Sequence, residues 1–131
     1  MKNQLKILIA DDSPVIISRL KSILAELDMV TVIGEAGNGN EVMSFLKIAV
    51  PDVVLLDVKM PGANGIDVLA DIKKNYEQVK IIMLTNQSNA IIRSLCLNMG
   101  ANFFFDKSTE FEKLPDALQQ LALAKKNVCI D

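Results

Sequence analysis

The sequence predicts an α/β protein: a parallel sheet of five strands with helices on both faces. Three observations carry this. Five short apolar runs recur along the chain, at 5–10, 29–36, 52–57, 79–84 and 102–105. They are rich in Val, Ile, Leu or Phe, as strands buried on both faces must be. Helix-length stretches with apolar spacing near 3.6 residues separate them, and strict strand–helix alternation implies a parallel sheet with right-handed crossovers. At 131 residues the chain has the length of one domain, of about 100–200 residues. It is too short for a closed eightfold barrel. The strand order does not follow from the pattern.

Each helix has its own signals. Ser13-Pro14 opens the first, with serine suited to the N-cap and proline to the first helical position. Ile16, Ile17, Leu20, Ile23, Leu24 and Leu27 mark its apolar face. The second runs from about Asn40 to Ala49, with Val42, Phe45, Leu46 and Ala49 inward, and Pro51 ends it. The third starts near Gly65 and turns Ile66, Leu69 and Ile72 inward. The fourth starts near Ser88, buries Ile91, Ile92, Leu95 and Met99, and stops at Gly100 in the C′ position. The fifth carries Leu114, Ala117, Leu118, Leu121 and Leu123. Pro115 would break a helix begun at Thr109, so a short turn precedes entry at Leu114–Pro115. A fraying tail is expected from about residue 125. Residues 1–131 therefore read as a single domain.

Composition excludes several functions. Hydrophobic residues make up 50% and charged residues 23%, which rules out general disorder. The 14 basic and 16 acidic side chains give a net charge of −2, so direct binding of nucleic acid through bulk charge is not expected. Mean hydropathy is +0.29, yet no apolar run approaches the roughly 18 residues of a membrane span. Cys96 and Cys129 read as packing and tail residues, reduced in a cytoplasmic protein. Asp11 and Asp12 interrupt the apolar start too early for a signal peptide. There is no histidine, which removes Ser/His/Asp and Cys/His catalysis and weakens any zinc site.

In open α/β sheets the site lies at the carboxyl ends of the strands. The first run ends in Asp11-Asp12, the third in Asp57, the fourth in Thr85, and the fifth reaches Lys107 two residues after Phe105. The second ends in EAGNGN, which offers no comparable group. Two carboxylates about 4 Å apart repel by ~4 kcal/mol at an effective dielectric of 20. A divalent cation relieves that repulsion, and an all-oxygen set favours magnesium over zinc. With a cation and Lys107 in place the edge suits a phosphoryl group. Asp57 is then a candidate nucleophile, and Thr85 a donor to a phosphoryl oxygen.

These residues resemble the receiver domain of bacterial two-component response regulators. The resemblance runs from KILIADDS through PDVVLLDVKMPGANGIDVL and IIMLT to GANFFFDKS. It implies a flavodoxin-like (βα)5 fold with strand order 2-1-3-4-5. It implies Asp57 as phosphoacceptor, and Asp11, Asp12, Asp57 and the Lys59 backbone carbonyl as ligands of Mg²⁺ or Mn²⁺. Thr85 and Lys107 would hold the phosphoryl oxygens, and Phe104 would be the switch aromatic. Phosphorylation would draw Thr85 inward, let the aromatic rotate and remodel the face of helix 4, strand 5 and helix 5. The implied partners are a histidine kinase or histidine phosphotransfer protein, and a downstream protein or output domain. A homodimer would form on the helix 4–strand 5–helix 5 face. The domain would assist its own phosphorylation and dephosphorylation without being a turnover enzyme.

The chain departs from the family pattern at four places. Ser108 stands where many members have proline, so a cis peptide after Lys107 does not follow. Phe104 lacks the hydroxyl of the common tyrosine. Asn86 follows Thr85 where a small residue is usual and narrows the approach. Lys59 and Gln87 flank the site, where residue identity tunes the lifetime of the phosphate. Two alternatives compete: a degenerate receiver serving as a docking module, and a phosphohydrolase of the haloacid dehalogenase type. The latter needs a second aspartate two residues after the nucleophile, where this chain has Lys59. The segment 125–131 is too short for a helix-turn-helix, so the chain reads either as a stand-alone regulator or as the first domain of a longer one.

Overall fold

The computed structural model describes residues 4–62, 64–86 and 89–130, with side chains described as far as residue 125. The elements alternate as β1 (Leu5–Ala10), α1 (Pro14–Ala25), β2 (Val30–Ala36), α2 (Gly39–Ile48), β3 (Val53–Leu56), α3 (Gly65–Asn75), β4 (Lys80–Thr85), α4 (Ala90–Asn98) and β5 (Phe103–Asp106). A 3₁₀ turn (Phe111–Lys113) then leads into α5 (Leu114–Ile130). The short turn before Pro115 is thus present, and the backbone expected to fray from about 125 is helical to Ile130. The strands pair in parallel in the order β2-β1-β3-β4-β5, the flavodoxin-like arrangement.

Because strand side chains alternate between faces, the sheet divides the interior in two. Leu8, Val54, Leu56, Ile81, Met83 and Phe104 point to one face and pack with residues of α2, α3 and α4. Ile7, Ile9, Val53, Leu55, Ile82, Leu84 and Phe105 point to the other, against α1 and α5. Consecutive phenylalanines in β5 therefore serve different layers. Phe103 and Phe105 stack at 5.8 Å on the α5 side, while Phe104 enters the α4 side.

Four helices begin on a side-chain oxygen that accepts a backbone N–H three residues on: Ser13 from Ile16, Asn38 from Glu41, Asn64 from Asp67 and Asn89 from Ile92. Each such cap contributes about 1 kcal/mol. Gly100 closes α4 at φ +112°, a conformation that glycine adopts without a Cβ penalty.

The inward face of α4 differs from expectation. Ile91 is 81% exposed and Leu95 42%, while Cys96 is fully buried. Ile92, Cys96 and Met99, spaced i, i+4 and i+7, form the buried stripe instead. A nine-residue helix with apolar residues almost all round does not specify its own rotation. The cap on Asn89 and the contact with β5 set it. The expected start at Ser88 lies outside the described residues. Among the described residues no helix is long and apolar enough to cross a membrane.

Truncating Ile72 (0% exposed) to alanine is expected to cost about 2–5 kcal/mol. Ile91→Ala is expected to change stability by about 0.5 kcal/mol or less. The urea denaturation midpoint of Ile91→Ala tests the rotation of α4, with Ile72→Ala in α3 as the buried reference.

Candidate functional site

The strand order puts the ends of β1, β3, β4 and β5 side by side, and the polar residues follow from it. Ladder bonds continue just beyond the strands. Asp11 N–H donates to Ala36 O at 2.9 Å, Asp57 N–H to Ala10 O at 3.1 Å, and Lys107 N–H to Thr85 O at 3.1 Å. The backbones of Asp11, Asp57 and Lys107 are thereby tied to neighbouring strands. Asp11 is 2% exposed, Asp57 7%, Thr85 0% and Lys107 7%. Asp12 faces solvent.

Lys107 sits between the two buried acids. Its Nζ donates to Asp11 Oδ2 at 2.5 Å and to Asp57 Oδ2 at 3.0 Å. Asp11 Oδ1 accepts the Ser13 N–H at 2.9 Å, and Asp57 Oδ1 accepts the Lys59 N–H at 3.2 Å. Buried charges persist only when paired and hydrogen-bonded, and these are. One ammonium faces three carboxylates, so the edge retains excess negative charge. Asp11, Asp12 and Asp57 each offer an oxygen within 4.8 Å of the others. An all-carboxylate set of that span can hold a hard divalent cation.

The cluster opens into a cleft of about 440 Å³, walled by Ile16, Lys59, Met60 and Pro61 and by Asn86. The Asn86 Oδ1 accepts the Ser108 hydroxyl at 3.4 Å. No described peptide bond is cis. Gln87 lies outside the described residues. Gly65 closes the wall behind Asp57: its N–H donates to Val58 O at 2.5 Å. A Cβ at Gly65 would collide with the Asp57 carbonyl, so only glycine lets α3 start so close.

Phe104 lies within the core at 2% exposure. The Arg93 guanidinium stands 5.1 Å from its ring centre, donates to the Phe104 carbonyl at 3.0 Å and pairs with Glu110 at 2.6 Å. The backbone N–H of Asp106 and the ammonium of Lys113, with Arg93, hold the Glu110 carboxyl down at about 2. The structure places Asp11, Asp12, Asp57, Thr85 and Lys107 around one cleft. Sequence reasoning missed the Ser13 N–H, the Met60–Pro61 wall, and Arg93 with Glu110.

The receiver-domain resemblance was carried by these same residues, and comparison with known proteins decides it. The response regulator receiver domain family matches residues 7–119. The chain belongs to that family. It is 32% identical over 116 residues to the nitrate/nitrite response regulator protein NarL of Escherichia coli, covering 88% of this chain and 54% of that protein. The response regulator domain of Thermotoga maritima CheB superposes with a TM-score of 0.80 at 29% identity, covering 94% of this chain and 97% of that one. RcsB from Salmonella enterica serovar Typhimurium, bound to promoter rprA, superposes with a TM-score of 0.83 at 28% identity, covering 88% of this chain and 66% of that one. The chain spans about half the length of the curated relatives it matches. It is a receiver domain of two-component response regulators.

The promoter-bound RcsB complex counts against the expectation of no direct nucleic-acid partner. That expectation rested on a net charge of −2 summed over this receiver. The match covers 66% of that promoter-bound relative, so about a third of it lies outside the region whose charge was summed.

Two outcomes test the electrostatics. Lys107→Ala leaves Asp11 and Asp57 facing each other and is expected to destabilise the fold by about 3–5 kcal/mol. Added Mg²⁺ should raise the melting temperature of that variant more than that of the wild type. Glu110 ionises at about 2 against an ordinary 4.5. Its stabilising contribution is therefore complete above about pH 4.5 and lost as pH falls toward 2. Glu110→Gln should flatten the drop in denaturation midpoint over that window.

Proposed function

We propose that this chain is a phosphoacceptor switch, and that Asp57 takes a phosphoryl group from a phosphohistidine of a histidine kinase or histidine phosphotransfer protein. The observation that carries the reading is the Lys107 ammonium, set between two buried carboxylates at the mouth of an open cleft. A carboxylate oxygen of Asp57 attacks phosphorus; the phosphorus–nitrogen bond breaks and the donor imidazole leaves with a proton. Lys107 moves from carboxylate to phosphoryl oxygen, and the Thr85 hydroxyl donates to another. Water later cleaves the acyl phosphate, returning the carboxylate and inorganic phosphate. Asp11, Asp12, Asp57 and the Lys59 carbonyl would hold Mg²⁺ or Mn²⁺, which supplies charge neutralisation during transfer.

The switch then biases the α4–β5–α5 face, where a downstream partner or second copy docks. The promoter-bound relative supports a whole protein whose remaining part contacts DNA, in the cytoplasm. A docking module without chemistry would not need the full acid set. The dehalogenase-type hydrolase gains no support, because Lys59 stands where its second aspartate belongs.

Incubation with magnesium and acetyl phosphate, followed by intact mass, tests the proposal. One labile phosphoryl group should appear on the wild type and none on Asp57→Asn. Continuous phosphate release from unrelated esters, or no mass gain at all, would refute it. Lys59 rims the cleft, and Lys59→Ala is expected to change the rate of phosphoryl loss severalfold, read from the same spectra over time.

A further inference from the structure

Lys107 is presented by the short segment that follows β5, and that segment is tied down on both sides. The Asp106 carboxylate accepts the N–H of Ser108 at 2.7 Å and of Thr109 at 3.2 Å. The Asp106 N–H donates to Glu110 Oε1 at 2.9 Å. The same Glu110 oxygen receives Arg93 from α4 at 2.6 Å. Arg93 also spans back to β5, through the Phe104 carbonyl and ring. Glu110 is only 17% exposed, and its other oxygen pairs with Lys113 at 3.0 Å. One arginine thus joins a helix of nine residues, whose packing stripe is narrow, to the strand end that aims the site lysine.

We infer that Arg93 is a positioning residue that couples α4 to Lys107, through Glu110 and the Asp106 N–H on one path and Phe104 on the other. The inference rests on the phosphoacceptor reading and deepens it. When Lys107 shifts from carboxylate to phosphoryl oxygen, the pull on 106–110 reaches α4 through this arginine. In the other direction, a partner that moves α4 changes how Lys107 is presented. The planar guanidinium matters, since it stacks on a ring and donates to two acceptors at once; a lysine at this position cannot do all three.

Amide hydrogen exchange on the unphosphorylated 131-residue chain tests this without depending on phosphoryl transfer. Arg93→Ala is expected to speed exchange at least tenfold both in α4 and at residues 105–109, with β1 and α1 unchanged. Glu110→Gln should produce the same loosening at 105–109. Arg93→Ala added to Glu110→Gln should have little further effect there, because both act through one path. Arg93→Lys should not restore protection at 105–109. Unchanged exchange at 105–109 in Arg93→Ala, fully additive effects, or complete rescue by lysine would overturn the inference. Should Arg93→Ala fail to fold, Arg93→Gln, which keeps the packing stem, replaces it. Failure of phosphorylation in the mass experiment would refute the switch and leave these exchange outcomes standing on their own.

Discussion

The contact between Lys107 and the two buried carboxylates organises the molecule. It closes a loop of 96 residues to Asp11 and of 50 residues to Asp57, and so joins the ends of β1, β3 and β5. Without a cation at that point, two buried carboxylates would face each other uncompensated. Without the acids, the ammonium would have no reason to leave water. The sheet core supplies the free energy that holds this arrangement: Ile7, Leu8, Ile9, Val53, Val54, Ile81, Ile82 and Met83 are all fully buried. An apolar interior thus supports a charged rim, and the rim is where chemistry with an anion becomes favourable.

Division of the interior into two layers gives the site two different neighbours. On the α1 and α5 side, the exposed Arg19 of α1 stacks at 4.2 Å on the buried Phe111 of the turn that precedes α5. The layer holding α2, α3 and α4 ends at α4, whose Ile91 and Leu95 remain exposed. A helix that buries one narrow stripe is easier to displace than one buried on a wide face. On that side β5 turns Phe104 toward α4 and carries Lys107 just beyond its end.

Much of this was legible in the sequence, for physical reasons that can be named. Fully buried parallel strands need unbroken apolar runs, and sites in open sheets fall at strand ends, so Asp11, Asp57, Thr85 and Lys107 could be found by reading the residues that end each run or follow it within two positions. Strand order was not legible from the pattern, since alternation is satisfied by several orders; resemblance supplied it. The rotation of α4 was misread because Ile91, Ile92, Leu95 and Cys96 offer two adjacent stripes, and only tertiary contact chooses between them. Arg93 and Glu110 carry no local signal: they lie 17 residues apart and meet only once β5 stands beside α4. The nucleic-acid expectation failed for a different reason. Net charge is a sum over whatever stretch is counted, and this stretch matches about half of its relatives.

The absence of a hydroxyl at Phe104 bears on how such a switch would rest. A buried tyrosine oxygen needs a partner, and the lack of one would favour a ring turned toward water. Phenylalanine carries no such demand. Its inward position, at 2% exposure, leaves no polar group unsatisfied, and the Arg93 guanidinium adds attraction from the ring's open side. The ring's inward packing is then stable without any phosphoryl group. The polar contacts around the ring run from Arg93 to Glu110 and from Glu110 to the Asp106 N–H. Packed interiors respond to local changes by moving between discrete arrangements rather than by gradual deformation, so contacts at one end of β5 are where the inference drawn from Arg93 is to be tested.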